Sequence, residues 1–308
     1  MTLNLILNNN NVVSGSNNTR YRYRFNAPLE IMDEAEMTIA NITMPYSWFN
    51  ITSVNDNNRI TFVFPFSGGG LSYNFIMQNG FYTVTDINAF LQQQCIANGL
   101  YLIDENGNNV YYTTLIYNPS YYAVQVIIQT VPSSLPTNWT QPSNWNGYPT
   151  TSTKSPTISF SANLFTMLGF PFLTLGTGTG NFSFLSSLIP QGSVVNSLVI
   201  RSSIIDNDSG FPTDVLDTMP ITSSFGSNIN YTPTTLKWVK CTAGTFQSFD
   251  IFFSDQNLNP MYILDNNVCI SILLRNKGKI ISPNINGQEE AQGRSQKLVQ
   301  RIALQLEE

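Results

Sequence analysis

The sequence predicts a mainly β protein, with strands toward both ends of the chain and an α+β block inserted between them. Three observations carry that reading. Residues 20–25, RYRYRF, alternate guanidinium and ring, the period of a strand with one buried face. Short apolar runs recur between Asn, Pro, Gly and Ser turns along most of the chain, the pattern of antiparallel hairpins. Only one segment of the first half, near residues 83–97, has both the spacing and the punctuation of a helix.

In chain order, residues 8–19 (NNNNVVSGSNNT) are a polar lead-in without periodicity, an extended arm or loop. In the strand that follows, Arg20, Arg22 and Arg24 share one face and Tyr21, Tyr23 and Phe25 the other. Ala27-Pro28 is expected to end it, because proline gives no donor to a ladder. Asp33, Glu34 and Glu36 fill the connection, and a second strand starts near Met37 in TIANITMPYSWFNIT. The later strands read as sheet built onto these two. Residues 60–66 and 71–77 form a hairpin across SGGG. Thr83 or Thr85 caps a helix that places Ile87, Phe90, Leu91 and Cys95 on one face and stops at Asn98-Gly99. A second hairpin joins 110–117 to 121–130 through Asn118-Pro119-Ser120.

Residues 132–156 are too rich in proline for regular structure, yet carry Trp139, Trp145 and Tyr148. Loops of this length are uncommon unless functional. The rings either contact a receptor or partner, or pin the loop to its own domain. LFTMLGF at 164–170 is a short helical turn ending at Gly169, and strands return at 194–205, 236–241, 246–253 and 268–274. In 288–308 the four-residue spacing of Leu298, Ile302 and Leu306 marks a short amphipathic helix.

Of the 308 residues 42% are hydrophobic, enough for a sizeable core, but only 11% are charged, against about 25% in an average soluble domain. Asn, Ser, Thr and Gln replace the missing charge. Such a surface suits a protein packed against copies or partners, although an AT-rich genome would also enrich Asn, Ile, Tyr and Phe. Cys95, Cys241 and Cys269 are odd in number and widely spaced, unlike a disulfide framework or a zinc site, so assembly in a reducing compartment is expected. Neither a signal peptide nor a membrane span is indicated.

The net charge is -5, which argues against a dedicated nucleic-acid binder. The basic residues are nonetheless uneven: Arg20, Arg22 and Arg24 lie near one end, and Arg275, Lys277, Lys279, Arg294, Lys297 and Arg301 near the other. The strand arginines either form a solvated face paired with Asp33, Glu34 and Glu36, or meet nucleic acid or a neighbouring subunit. Three cations are a small electrostatic footprint, which favours the first.

The chain contains no histidine, which removes Ser-His-Asp and Cys-His nucleophilic systems, His metal sites and the usual acid–base residue near neutral pH. GTGTG at 176–180 lacks the Lys-Ser/Thr of a phosphate loop and reads as a linker. Residues 206–210, DNDSG, begin like a calcium loop, but no Glu stands at its closing position, so an Asx turn is expected. No catalytic residue, metal site or cofactor is assigned, and the protein is read as not an enzyme.

Several segments together resemble the penton, or minor capsid, proteins of virophages and related Polinton-type double-stranded DNA viruses. They are NNNVVSGSNNTRYRYRF, NITMPYSWFNIT, NGFYTVTDINAFLQQQ, FTMLGF and SFDIFFSDQNLNPMYILDNNVCISILL, in this order over most of the chain. The resemblance implies a single jelly-roll β-sandwich standing upright in the shell, assembled as homopentamers at the icosahedral fivefold vertices, with the inserted domain facing outward. The expected division is a jelly roll of 1–58 and 191–287, an insertion of 59–190 and a C-terminal arm with a helix at 288–308. The implied partners are copies of the chain and neighbouring capsomers of the major capsid protein, in virions assembled in the host cytoplasm.

A lectin-like attachment protein that binds a host receptor or glycan through Trp139, Trp145 and Tyr148 is the alternative. The basic residues Arg20, Arg22, Arg24, Lys277, Lys279, Arg294, Lys297 and Arg301 are expected on the inner or inter-subunit side. The carboxylates Asp33, Glu34, Glu36, Glu289 and Glu290 are the candidates for acid-sensitive contacts. With free carboxylate values of about 3.9 and 4.3, such contacts loosen only near pH 5 or below.

Overall fold

A computed structural model describes residues 2–171, 174–192 and 195–276. The chain opens with β1 (Thr2–Leu7), β2 (Arg20–Ile31) and β3 (Ala35–Pro45). A block follows with β4 (Arg59–Phe66), β5 (Gly69–Ile76), α1 (Val84–Ala97), β6 (Leu102–Ile103), β7 (Asn109–Val110), β8 (Thr113–Asn118), β9 (Ala123–Ile128), β10 (Thr157–Phe160), α2 (Ala162–Leu168) and β11 (Phe182–Leu185). The chain then adds β12 (Ser197–Ser202), β13 (Val215–Pro220), β14 (Asn228–Tyr231), the two-residue β15 (Val239–Lys240), β16 (Gly244–Asp255) and β17 (Cys269–Asn276).

The flanking strands form two antiparallel sheets, ordered β1-β17-β3-β14 and β13-β12-β16-β2, with β15 also on β3. Setting aside short β15, the first of these strands pairs with the last, the second with the second-last, and so inward to β12 with β13. A long hairpin rolled over on itself gives this order, which is that of a jelly roll. The inserted block leaves after the third body strand and returns before the fourth.

Register explains which side chains are inside. In β2 the rings of Tyr21, Tyr23 and Phe25 turn inward and pack on Phe249 and Phe253 of β16, with Tyr21 fully buried. Pro28 does not end this strand. Ser248 lies opposite Arg24 and Phe246 opposite Leu29, so residues 25–28 bulge against Gln247 alone, and a bulge needs no donor from proline. Nor do the two strands that organise the sequence pair: β2 is the edge of one sheet and β3 is internal to the other. β1 was not foreseen as a strand, yet its alternation buries Leu5 and Leu7 against β17. β13 and β14 add further strands, and of residues 236–241 only β15 is strand.

Buried apolar side chains form two clusters. One draws on the body strands, from Leu5 to Trp48 and from Leu198 to Leu274. The other lies within the block, from Ile51 to Leu175. In α1, Thr83 and Asp86 make a reciprocal capping box, and Ile87, Leu91 and Cys95 are buried. The Thr83 hydroxyl and backbone amide hold the Asp86 carboxyl below its ordinary value, against a small opposing effect of burial. Helix and sheet are joined by the Leu115 amide, which donates to Asn88 Oδ1 at 2.9 Å. α2 stops at Gly169, whose φ of +79° is left-handed and whose missing Cβ leaves room for the Leu188 carbonyl.

Body and block meet at Asn50. Its buried side chain donates to the carbonyls of Tyr82 at 2.8 Å and Gly192 at 2.9 Å, and accepts from the Tyr82 amide at 2.8 Å. Phe81 crosses from the block to stack on Phe225 of the body, with ring centroids 4.6 Å apart.

Candidate functional site

The charged face of β2 is organised by a carboxylate from β16. Asp250 lies opposite Arg22 in the ladder, and its side chain is only 7% exposed. Arg22 donates to it through Nε at 2.7 Å and Nη2 at 3.0 Å, and Arg20 through Nε at 2.9 Å and also through Nη2. Arg20 also lies 5.1 Å from the ring centroid of Phe252. Burial pushes the Asp250 carboxyl up, but the hydrogen bonds from Arg22 and Arg20 and their charges outweigh it and hold the group below its ordinary value. The Asp250 hydrogen bond and charge raise Arg22 further above its normal range.

Two guanidiniums on one carboxylate leave the triad with a single net positive charge. Arg24 is exposed, makes no ion pair among the described residues, and lies between two open clefts of about 470 Å³ each. Arg20 and Arg22 are therefore paired within the subunit, but with Asp250 rather than with Asp33, Glu34 or Glu36. Asp33 and Glu34 occupy the turn beyond Ile31, at the far end of a strand roughly 30 Å long from Arg20. Glu36 is in β3, where it accepts from Arg275 at 2.6 and 2.9 Å. Arg275 in turn stacks 3.8 Å over the Trp238 ring. Lys277, Lys279, Glu289, Glu290, Arg294, Lys297, Arg301 and the expected C-terminal helix lie outside the described residues.

In the loop between β9 and β10, Trp139, Trp145 and Tyr148 pack partly buried against the core of the block. Trp145 meets Phe64 edge-on at 5.7 Å and lies 5.2 Å from Tyr148. Tyr148 donates to Gln141 Oε1 at 2.5 Å. The more exposed rings are on the β8–β9 hairpin: Tyr117, Tyr121 and Tyr122 are 43%, 70% and 60% exposed. Neither these tyrosines nor Asp250 was singled out from the sequence. An aspartate in the apolar run SFDIFF was the available signal for Asp250, since a buried strand tolerates a carboxylate only beside a cation.

Among the described residues, no helix is long and apolar enough to cross a membrane. No protein-family model matches the sequence, and no curated protein does either. Two solved virophage structures resemble the chain. One is the mavirus penton protein in its crystal structure, at 12% identity and a TM-score of 0.42, with 89% of this chain and 97% of that chain covered. The other is the cryo-EM structure of the Sputnik virophage, at 11% identity and a TM-score of 0.38, with the same coverage. The jelly-roll order rests on the strand pairings described above.

Proposed function

We propose that this chain is a structural capsid protein that forms pentameric capsomers at the fivefold vertices of an icosahedral double-stranded DNA virus. The observation that carries the reading is the single jelly roll with a separate block inserted between its third and fourth strands. A sandwich of this kind packs side by side into a shell wall, while an insertion at one end of the strands projects from it. The body strands, before residue 59 and after residue 190, are the wall, and 59–190 faces outward. A heterologous contact between identical subunits closes into a ring when its rotation allows, and a surface of neutral amides and hydroxyls avoids the larger cost of burying charge on packing.

The chain works by assembly rather than catalysis, with copies of itself and the major capsid protein as partners, in the virion. The test is quantitative mass spectrometry of purified particles. The reading expects the chain at about 60 copies per particle, five at each vertex. Absence from particles, or a copy number matching the main shell protein, overturns it.

A further inference from the structure

We propose that the solvent face of the β8–β9–β11 sheet, together with the tyrosines of the β8–β9 hairpin, binds a neutral carbohydrate. The surface has two parts. Across the sheet Leu185, Gln125 and Ile116 stand side by side, as do Ser183, Ile127 and Thr114. Asn118 Nδ2 donates to Gln125 Oε1 at 3.1 Å, and Gln125 Nε2 donates to Ser183 Oγ at 2.8 Å. This ladder fixes both amide planes, and each group retains a further donor or acceptor for a ligand.

At the hairpin, Tyr117 and Tyr122 pack edge-on with centroids 6.1 Å apart, and Tyr121 is 70% exposed. Tyr122 has a φ of +49°, a left-handed conformation that costs about 1–2 kcal/mol outside glycine. The residue is 60% exposed, so the turn gains little from a tyrosine there.

Charge and size select the partner. Between residues 59 and 190 the charged side chains are Arg59, Asp86, Asp104, Glu105 and Lys154, and none falls within 106–153. The hairpin therefore offers no cation to a phosphate, sulfate or carboxylate. Three strands of four to six residues span roughly 300 Å², well below the roughly 800 Å² per partner of a standard protein interface. A sugar fits both constraints: its C–H face stacks on a ring, and its hydroxyls meet amides and hydroxyls. Such binding needs no assembled ring and is separate from a capsid role.

The full chain is tested by saturation-transfer difference NMR with maltotetraose, cellotetraose and chitotetraose, then on an array of neutral and acidic glycans. At least one neutral oligosaccharide should bind. Tyr121→Ala should weaken it about tenfold, and so should Gln125→Ala, while Tyr121→Phe and Trp139→Phe retain it. Because Tyr121 is so exposed, circular dichroism of its variants should match the parent. Absence of binding by every neutral sugar, equal binding by Tyr121→Ala, or recognition confined to acidic glycans or to a protein overturns the inference.

Discussion

Asn50 Nδ2 donates to the Gly192 carbonyl at 2.9 Å, across 142 residues of sequence. One side chain thus joins the segment that leaves the jelly roll to the segment that returns, and it also holds both backbone groups of Tyr82. Asn50→Ala strands these groups in a buried site, which costs about 1–3 kcal/mol each where water does not replace the amide. Denaturant unfolding should show a lower midpoint, and limited proteolysis should cut near residues 51–58 more readily. An unchanged midpoint and cleavage pattern would show that the packing of Phe81 on Phe225 suffices to hold the block.

Asp250 gives the body an acid limit. Its folded value is held below normal, so its contribution is fully present above the unfolded value of about 3.9 and fades as pH falls through the folded one. Stability measured by urea unfolding should fall below about pH 4. Asp250→Asn should be less stable at pH 7 and lose less between pH 4 and pH 2. A parallel decline of both proteins would assign acid sensitivity to other carboxylates. Glu36, expected as an inter-subunit group, is engaged by Arg275 of its own subunit.

The thiols should divide by burial. Desolvation pushes Cys95 and Cys241 up to about 12, the Glu36 charge adding to the effect at Cys241, whereas Cys269 is exposed on β17. At pH 8 a disulfide reagent such as Ellman's should titrate one thiol in the native protein and three after denaturation. Reaction of two or more native thiols would mean that the core around α1 or β15 opens readily.

The strands whose inward face is periodic were legible in the sequence. The rings of RYRYRF point in and its arginines out, and the helix is capped at Thr83, one of the two threonines expected. Pairing was not legible, because a jelly roll joins its ends: Arg20 and Asp250 are 230 residues apart. Pro28 misled because a proline reads as a stop until the opposite strand shows a bulge. β13 and β14 are short and interrupted by polar residues, so their alternation is weak. The tyrosines of the second hairpin stood unnoticed beside tryptophans in a longer loop, since sequence gives ring type but not exposure.

Assembly into fivefold rings is measured directly by multi-angle light scattering of the purified full chain, alone and with major capsid protein. The subunit mass is 34.4 kDa. A species of about five subunit masses is expected, seen as closed rings by negative-stain microscopy. A stable monomer or trimer under both conditions contradicts it.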